Sequence, residues 1–332
     1  MNVLVTGGSG FIGTALSHRL LAAGHGVRIL ALRNTEAERA NVEDLVERGA
    51  VFIEGSVGDP ERRREALAGA NLVHHIAAVM READIPDSVF WDINVDATKQ
   101  LVAECAEQGV ERFVYCSTMG VTGDTRGTRV DETAPYRPKD IYTRTKAAIE
   151  EWLLEEVGRS GFPATAVRPA DVYGPGDQRL LKLFRMIQKG SFFYLGSGEG
   201  RRHMVYIDDL VDGMLAAQES EAALGEVFLL AGPSPIALRD LVERIAATLS
   251  VPAPSRRLPY GPVRALSVVV EAVCRPLGVQ PPIYPRRVDF YAHDYEFDIG
   301  KAGRMLGYRP KVDMDEGISR TVAAYRQAGQ LA

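Results

Sequence analysis

Three cysteines are the whole thiol content of this 332-residue chain, and they lie far apart at Cys105, Cys116 and Cys274. Their number and spacing do not fit a disulfide framework or a metal site with CxxC spacing. We therefore expect a reducing compartment, the cytoplasm, and no metal.

Long apolar runs are also missing. The longest apolar region, Val263 to Val273, is interrupted by Arg264 and Glu271 and falls well short of the ~20 residues that span a bilayer. It predicts an amphipathic helix that caps a pocket, with contact to a membrane surface as the alternative. At the N-terminus Val3-Leu4-Val5 reads as a strand, so no export signal is expected.

A strong charge of one sign is absent as well. The net charge is -5 and is spread along the chain, which argues against a nucleic-acid partner. With 46% hydrophobic and 25% charged residues, the composition is that of a globular protein. The expected partner is a small-molecule substrate.

Short β-branched runs alternate with amphipathic stretches over the first half of the chain, which indicates βαβ units. The predicted strands are Asn2–Thr6, Val27–Leu32, Val51–Glu54, Leu72–His75, Phe113–Ser117 and Ala164–Arg168. Helices are predicted to begin near Phe11, Glu36, Arg62, Phe90 and Tyr142. This order predicts an α/β fold with a doubly wound parallel sheet of the Rossmann type.

Beyond Arg168, proline and glycine become frequent and the alternation weakens. We therefore divide the chain into a dinucleotide-binding domain, residues 1–170, and a smaller α/β substrate lobe, residues 171–332. The second is expected to be partly interwoven with the first.

A glycine-rich segment joins the first predicted strand to the first predicted helix. Gly7 permits a tight turn, Gly10 lets the backbone approach a pyrophosphate, and Gly13 lets helix and strand pack closely. The N–H groups at the helix start, at Phe11 and Ile12, then face the phosphate charge. The segment predicts dinucleotide binding.

The end of the second strand distinguishes NAD from NADP. A carboxylate there would bind the ribose hydroxyls of NAD, whereas this chain has Arg33 and no carboxylate before Glu36. Arg33 favours NADP over NAD, unless it is only a solvated loop residue.

Among 12 tyrosines, only Tyr142 has a lysine four residues later, Lys146. On a helix both side chains share one face, and the ammonium would lower the phenol pKa from its usual value of about 10. Tyr142 then becomes a general acid or base for a carbonyl or alcohol oxygen. Ser117 and Thr118, at the end of a predicted strand, offer hydroxyls to hold that oxygen; alternatively they only cap the strand.

The chain resembles the extended short-chain dehydrogenases/reductases, also described as the NAD-dependent epimerase/dehydratase family. The resemblance covers nearly the whole chain and is carried by TGGSGFIG at the start, VHHIAA at 73–78, YCST, YxxxK, RPADVYGPGD at 168–177, HMVYIDDL at 203–210 and FDIGKAGRMLGYRP at 297–310. The branch with 3β-hydroxysteroid dehydrogenases and dihydroflavonol reductases is most similar.

The resemblance implies roles for individual residues. Thr118 with Ser117 would bind the substrate oxygen, Tyr142 would transfer the proton, and Lys146 would also hold the nicotinamide ribose. Further cofactor-lining positions would be Ser56, Val57, Ala77, Ala78, Asn94 and Pro169. His74 and His75 are interpreted as packing residues. The family also implies a homodimer.

At several positions this chain has residues that differ from those usual in the family, and these differences limit which reaction it can catalyse. Dehydratases of this kind have an Asp-Glu pair where this chain has Met119-Gly120, and epimerases usually have Asn where it has Asp171. Arg201 and Arg202, which could neutralise a diphosphate, keep an NDP-sugar 4-epimerase with tightly bound NAD open as an alternative.

Aromatic residues of the second lobe suit a fairly hydrophobic carbonyl compound, namely Phe192, Phe193, Tyr194, Tyr260, Tyr284 and Tyr291. We therefore expect an NAD(P)-dependent oxidoreductase. A cofactor-binding protein without turnover is the third possibility.

Overall fold

The protein is described by a computed structural model that covers residues 1–80, 85–277, 279, 281–289 and 294–332. Its strands, numbered in chain order, are β1 Asn2–Thr6, β2 Gly26–Ala31, β3 Val51–Glu54, β4 Leu72–His75, β5 Arg112–Cys116, β6 Ala164–Pro169, β7 Asp171–Tyr173, β8 Tyr194–Leu195, β9 Arg201–Arg202, β10 Met204–Tyr206, β11 Val227–Leu230, β12 Ile236–Ala237 and β13 Arg257–Leu258.

The α-helices, numbered in the same way, are α1 Phe11–Ala22, α2 Glu36–Glu47, α3 Pro60–Leu67, α4 Asp87–Trp91, α5 Ala97–Glu107, α6 Ile141–Ser160, α7 Gln178–Gln188, α8 Ile207–Glu219, α9 Leu238–Leu249, α10 Tyr260–Cys274, α11 Pro285–Asp289, α12 Gly300–Leu306 and α13 Met314–Gln327.

Seven parallel strands form the main sheet in the order β11-β6-β5-β4-β1-β2-β3. Strand β1 pairs with β2 on one side, where Val5 faces Ile29, and with β4 on the other, where Val5 faces His74. The chain therefore leaves β1 in one direction and returns to the sheet on the opposite side. In such sheets the ligand crevice lies beyond the carboxyl ends of the strands at this reversal.

The predicted fold class is confirmed. The six strands expected from the sequence are present with ends that differ by at most one residue. Every residue of β4, β5 and β6 is buried, as expected for a parallel sheet with helices on both faces. The helix predicted near Arg62 begins at Pro60, where the Asp59 carboxylate caps the first turn.

The second half of the chain is interleaved with the first. Strand β11 pairs with β6 and completes the main sheet, and α8 packs beneath β5 and β6. This half also contains three short two-stranded sheets, β7 with β10, β9 with β12 and β8 with β13. The division at residue 170 stays a prediction.

The apolar segment from Val263 to Val273 lies in helix α10, so the predicted helix is confirmed. The expectation that it caps a pocket is wrong, because most of its apolar side chains are exposed to solvent. Within the described ranges, no helix is both long enough and apolar enough to cross a bilayer.

Candidate functional site

The tight turn between β1 and α1 depends on glycines that carry no side chains. Gly7 has φ +72°, and a Cβ there would lie 2.9 Å from the Ala77 nitrogen. A Cβ on Gly13 would lie 2.2 Å from the Gly7 carbonyl oxygen, whereas one on Gly10 would meet only that oxygen, at 3.3 Å. Gly10 therefore presents open space beside the helix start.

The first turn of α1 suits an anion. No side chain caps its N-terminus and its first turn has no acidic residue. The unused amide N–H groups of the first turn, including those of Phe11 and Ile12, carry the positive end of the helix dipole. A dinucleotide pyrophosphate fits these residues, since a Cβ would fill the space that it needs.

We predict that Gly13→Ala weakens cofactor binding. The atoms that a Cβ would meet, the Gly7 oxygen and the Gly8 Cα at 2.8 Å, are backbone and can move only with the loop. Overpacking of this kind costs about 1–3 kcal/mol, so the cofactor Kd should rise roughly tenfold or more. Fluorescence titration with NADH and NADPH measures it.

The control is Gly158→Ala on α6, where a Cβ meets nothing within 4 Å. It should leave the cofactor Kd unchanged. An unchanged Kd for Gly13→Ala as well would contradict the role of this turn.

The residues predicted to bind the adenosine half of the cofactor lie at and after the ends of β2 and β3. Arg33 makes a two-point ion pair with Glu54, with Nε–Oε1 and Nη2–Oε2 distances of 3.1 and 2.9 Å. Its guanidinium also lies 5.5 Å from the centre of the Phe52 ring. Nearby, the Ser56 hydroxyl accepts the Gly58 N–H at 3.1 Å, and Val57 is buried.

Buried hydroxyls and one imidazole connect the glycine turn to the fifth helix. Thr6 Oγ1 accepts the Ala77 N–H at 3.2 Å and lies 2.8 Å from His75 Nδ1. His75 Nε2 lies 2.8 Å from Thr98 Oγ1, which donates to the Asn94 carbonyl. Because that hydroxyl proton is already used, His75 must donate through Nε2 and accept from Thr6 at Nδ1.

Burial lowers the pKa of His75 to about 3, and the nearby Lys146 charge acts in the same direction. The ring therefore stays neutral at physiological pH and keeps this hydrogen-bond pattern. His74 is buried too, with Nε2 at 2.7 Å from Gln218 Oε1. Both histidines pack in the interior, and no group of side chains suited to a metal occurs among the described residues.

Asn94 connects the segment that follows β4 to helix α6. It lies in a π-helical turn, Asp92–Asp96, and its side chain binds both the N–H and the carbonyl of Val79, at 2.7 and 3.2 Å. Its Nδ2 also donates to Thr145 Oγ1, which donates to the Tyr142 carbonyl. The contacts position the segment after Ala78, and direct cofactor contact by Asn94 stays a prediction.

Helix α6 holds the tyrosine-lysine pair in its first two turns. Asp140 and Thr143 form a reciprocal cap at its start, which fixes the first turn. Tyr142 and Lys146 are both buried on its inner face. The expected helical spacing of the two side chains is therefore present.

Lys146 lies against strand β5. Its Nζ is 4.2 Å from the centre of the Tyr115 ring. Burial lowers the pKa of Lys146 to about 8, while the neighbouring Cys116 and Glu150 oppose the shift. The ammonium thus remains mainly charged at pH 7 and provides positive charge behind the tyrosine.

Ser117 and Thr118 directly follow β5. The Ser117 hydroxyl is buried, with no hydrogen-bond partner among the described residues. Thr118 Oγ1 accepts the Gly120 N–H at 3.2 Å, which leaves its proton for another acceptor. A Cβ on Gly120 would lie 2.8 Å from Thr143 Cγ2, so this turn packs against the start of α6 beside Tyr142.

A buried ion pair behind Lys146 was missed at the sequence level. Arg168 Nη2 and Nε lie 2.6 and 2.9 Å from Glu150 Oε1, and both side chains are buried. Tyr136 donates its hydroxyl to the same oxygen at 2.7 Å. The available signal was the position of Glu150, four residues after Lys146 on the same helix face. Pro169 follows Arg168 and is buried at the end of β6, and its cofactor contact stays a prediction.

The two arginines that could neutralise a diphosphate each lie beside a carboxylate. Arg202 is buried, with Nη1 3.7 Å from Asp171 Oδ2, and Arg201 Nη1 lies 2.9 Å from Glu296 Oε2. Of the aromatics that were expected to suit a hydrophobic carbonyl compound, Phe192 and Tyr194 pack edge to face in the core. Both side chains are almost fully buried, so they fill the interior and are not available to a substrate. Tyr291 lies outside the described residues.

A Rossmann sheet with a glycine turn, and a helix that presents a buried tyrosine and lysine, define a class of dinucleotide-dependent enzymes. The model of the NAD dependent epimerase/dehydratase family matches residues 3–231. This chain belongs to the NAD-dependent epimerase/dehydratase family.

Curated relatives align over almost the whole chain. The 4-hydroxy-2-methyl-3-oxo-4-farnesyl-3,4-dihydroquinoline-1-oxide ketoreductase of Stigmatella aurantiaca is 32% identical, over 99% of this chain and 97% of its own. The 3beta-hydroxysteroid-dehydrogenase/decarboxylase isoform 1 of Arabidopsis thaliana is 29% identical, over 97% and 79%. These relatives confirm the resemblance to the hydroxysteroid dehydrogenase branch and the prediction of an NAD(P)-dependent oxidoreductase.

Solved structures share the fold. The UDP-glucose 4-epimerase of Thermus thermophilus, solved in complex with NAD, aligns with a TM-score of 0.77 and 26% identity over 99% of this chain and 100% of its own. Together with the family match, this supports a nicotinamide dinucleotide as the cofactor.

Proposed function

We propose that this enzyme transfers a hydride between a nicotinamide cofactor and the carbonyl or secondary alcohol of a fairly hydrophobic substrate. The observation that carries the proposal is the placement of Tyr142 and Lys146 on the buried face of α6, with the turn after Thr118 packed against the start of that helix. An apolar substrate is supported by the names of the relatives, which include a ketoreductase of a farnesyl-substituted quinoline and a hydroxysteroid dehydrogenase.

In the proposed mechanism, the bound nicotinamide supplies or accepts the hydride. During carbonyl reduction, Thr118 donates a hydrogen bond to the substrate oxygen. The neighbouring Ser117, whose hydroxyl is buried, helps to bind the same oxygen. Tyr142 gives its phenolic proton to the same oxygen as negative charge develops there. Lys146 stabilises the resulting phenolate, since its buried ammonium lies one helical turn away. Oxidation of an alcohol runs through the same groups in reverse.

A panel assay tests the proposal. The protein is incubated with NADPH or NADH and with alkyl, polycyclic and aryl ketones, and in parallel with UDP-glucose and NAD. Consumption of reduced cofactor with a ketone, at enzymatic rates, is the expected result. Conversion of UDP-glucose without net change of cofactor would replace the proposal with an epimerase. Cofactor binding without turnover on any compound would favour a non-catalytic protein.

The structure offers limited support for the epimerase alternative. The two arginines that could neutralise a sugar-nucleotide diphosphate each lie beside a carboxylate, Arg202 by Asp171 and Arg201 by Glu296. Asp171 would repel a diphosphate at the same place. A reductase is therefore the better proposal.

For the cofactor, we propose NADP over NAD and predict that Arg33→Ala separates the two. The Arg33–Glu54 pair is about half exposed, so the guanidinium can be shared with a 2′-phosphate at low cost. Loss of this charge-assisted contact should raise the NADP Kd roughly tenfold. The NAD Kd should change little. Titration with both cofactors measures the ratio.

Arg48→Ala is a matched control, because Arg48 also forms an exposed ion pair, with Asp44, on the same half of the chain. It should alter neither Kd. An equal rise of the NAD and NADP Kd values in Arg33→Ala would show that Arg33 does not bind the 2′-phosphate.

We further propose a homodimer in the cytoplasm. The dimer is supported by the family resemblance alone. The compartment is supported by the three cysteines, all of which are free thiols in the fold, as is usual in reducing surroundings.

A further inference from the structure

Helix α10 has its polar and apolar faces reversed relative to an ordinary surface helix. Its inner face includes Arg264, whose Nε lies 2.7 Å from Asp289 Oδ1, and the buried Ser267. The outward positions are all exposed and all apolar: Ala265, Leu266, Val268, Val269, Ala272 and Val273. Leu266, Val269 and Val273 are 54%, 59% and 58% exposed. Such a face is normally covered by something outside the chain.

The exposed apolar surface continues beyond the helix. Leu277 and Val279 follow it and are 70% and 55% exposed. At its other end Leu258 is exposed on β13, and its ribbon partner β8 follows the exposed Phe193. We call the outward face of α10 together with these four residues the α10 surface.

The surrounding segment is basic although the chain is acidic. Residues 256–289 contain six arginines and two acidic residues, a net charge of +4, while the whole chain carries -5. Arg256 and Arg257 are exposed on the polypeptide that leads into α10. Apolar residues beside basic ones match the layered chemistry of a membrane with anionic headgroups.

We propose that the α10 surface docks the enzyme on an anionic lipid bilayer, with the helix lying in the plane of the interface. The apolar side chains enter the boundary between headgroups and acyl chains, and the exposed Arg256 and Arg257 contact the phosphates. Helix α10 has 15 residues and the described chain has no membrane-spanning helix, so the attachment is peripheral.

A second copy of the chain fits this surface less well. A two-fold dimer would bring the same patch of each subunit together. Two segments of net charge +4 would then face and repel each other. An anionic lipid surface would instead attract the same segment.

Flotation of the full chain with lipid vesicles tests the proposal. Phosphatidylcholine vesicles with phosphatidylglycerol should carry the protein to the top of the gradient, and pure phosphatidylcholine vesicles should carry much less. Val269→Glu should lower the partition coefficient roughly tenfold or more, because it removes an apolar side chain that enters the bilayer and adds a negative charge that the anionic lipids repel. Leu266→Gln serves as a second, uncharged variant.

Val46→Glu on α2 is the matched control, since Val46 is a 45% exposed valine outside the α10 surface. Its binding, and the melting temperatures of all variants, should match the unaltered protein. Absence of binding to anionic vesicles, or full binding by both α10 variants, would overturn the proposal. So would a fall in mass by light scattering in Val269→Glu, because the surface would then be an interface between copies.

Discussion

Replacement of Tyr142 by phenylalanine should lower the turnover number by about 10²- to 10⁴-fold, the usual contribution of a positioned general acid or base. The phenol is the group that exchanges a proton with the substrate oxygen in the proposed mechanism, and phenylalanine keeps the ring while removing that proton. The ring is buried on the inner face of α6, so its packing should survive. Steady-state rates with a ketone identified by the panel assay, and cofactor titration, measure the two effects separately.

The matched control is Tyr194→Phe, which removes a buried hydroxyl that has no hydrogen-bond partner among the described residues. Tyr194 packs in the core of the second half of the chain, and its loss should leave turnover within about twofold, because no contact to the substrate oxygen is removed. If Tyr142→Phe kept full turnover, the assignment of the proton donor would be wrong. If it lost cofactor affinity to the same extent, Tyr142 would act in binding instead.

The fold could be predicted because its signals are local. Each strand of the first half is a short apolar run followed by a turn residue, and period and length are enough to find it. Strand β11, Val227–Leu230, was not predicted, because it lies in the half of the chain where frequent proline and glycine interrupt the alternation of strands and helices. Its place in the main sheet depends on tertiary pairing that no short window of sequence contains.

The candidate site divides in the same way. The glycine turn and the Tyr142-Lys146 pair are sequence-local patterns. Their supports come from distant positions: His75 contacts Thr6 across 69 residues, and Arg168 contacts Glu150 across 18. A histidine beside a strand end gave no indication of its hydrogen-bond partners, because partners are set by strand order.

Helix α10 shows a different limit. Its amphipathic period was detected, but a period only states that one face is apolar and does not state which side is covered. Burial by the rest of the chain was the expectation, with a membrane surface as the alternative. In the structure the apolar face points away from the protein.

The Arg168–Glu150 pair should give the largest loss of stability among single substitutions of charged residues. Arg168→Leu leaves the Glu150 carboxylate buried without its cation, and breaking a buried pair in this way costs about 3–5 kcal/mol. Urea unfolding, followed by circular dichroism, measures the free energy of unfolding. Arg159→Leu is the control. Arg159 is an exposed residue of α6, the helix that carries Glu150, and it forms an ion pair with Glu156, so its replacement should cost at most about 1 kcal/mol.

The double substitution Arg168→Leu with Glu150→Leu shows where the cost arises. If the loss in Arg168→Leu comes from an uncompensated buried carboxylate, removing that carboxylate should recover most of it, even though Tyr136 then loses its hydrogen-bond acceptor. Equal losses in the single and double variants would mean that packing of the Arg168 side chain, and not the charge of Glu150, sets the cost. The single variant should also reduce turnover, because Glu150 lies one helical turn behind Lys146 and a shift of that helix would move the ammonium away from Tyr142.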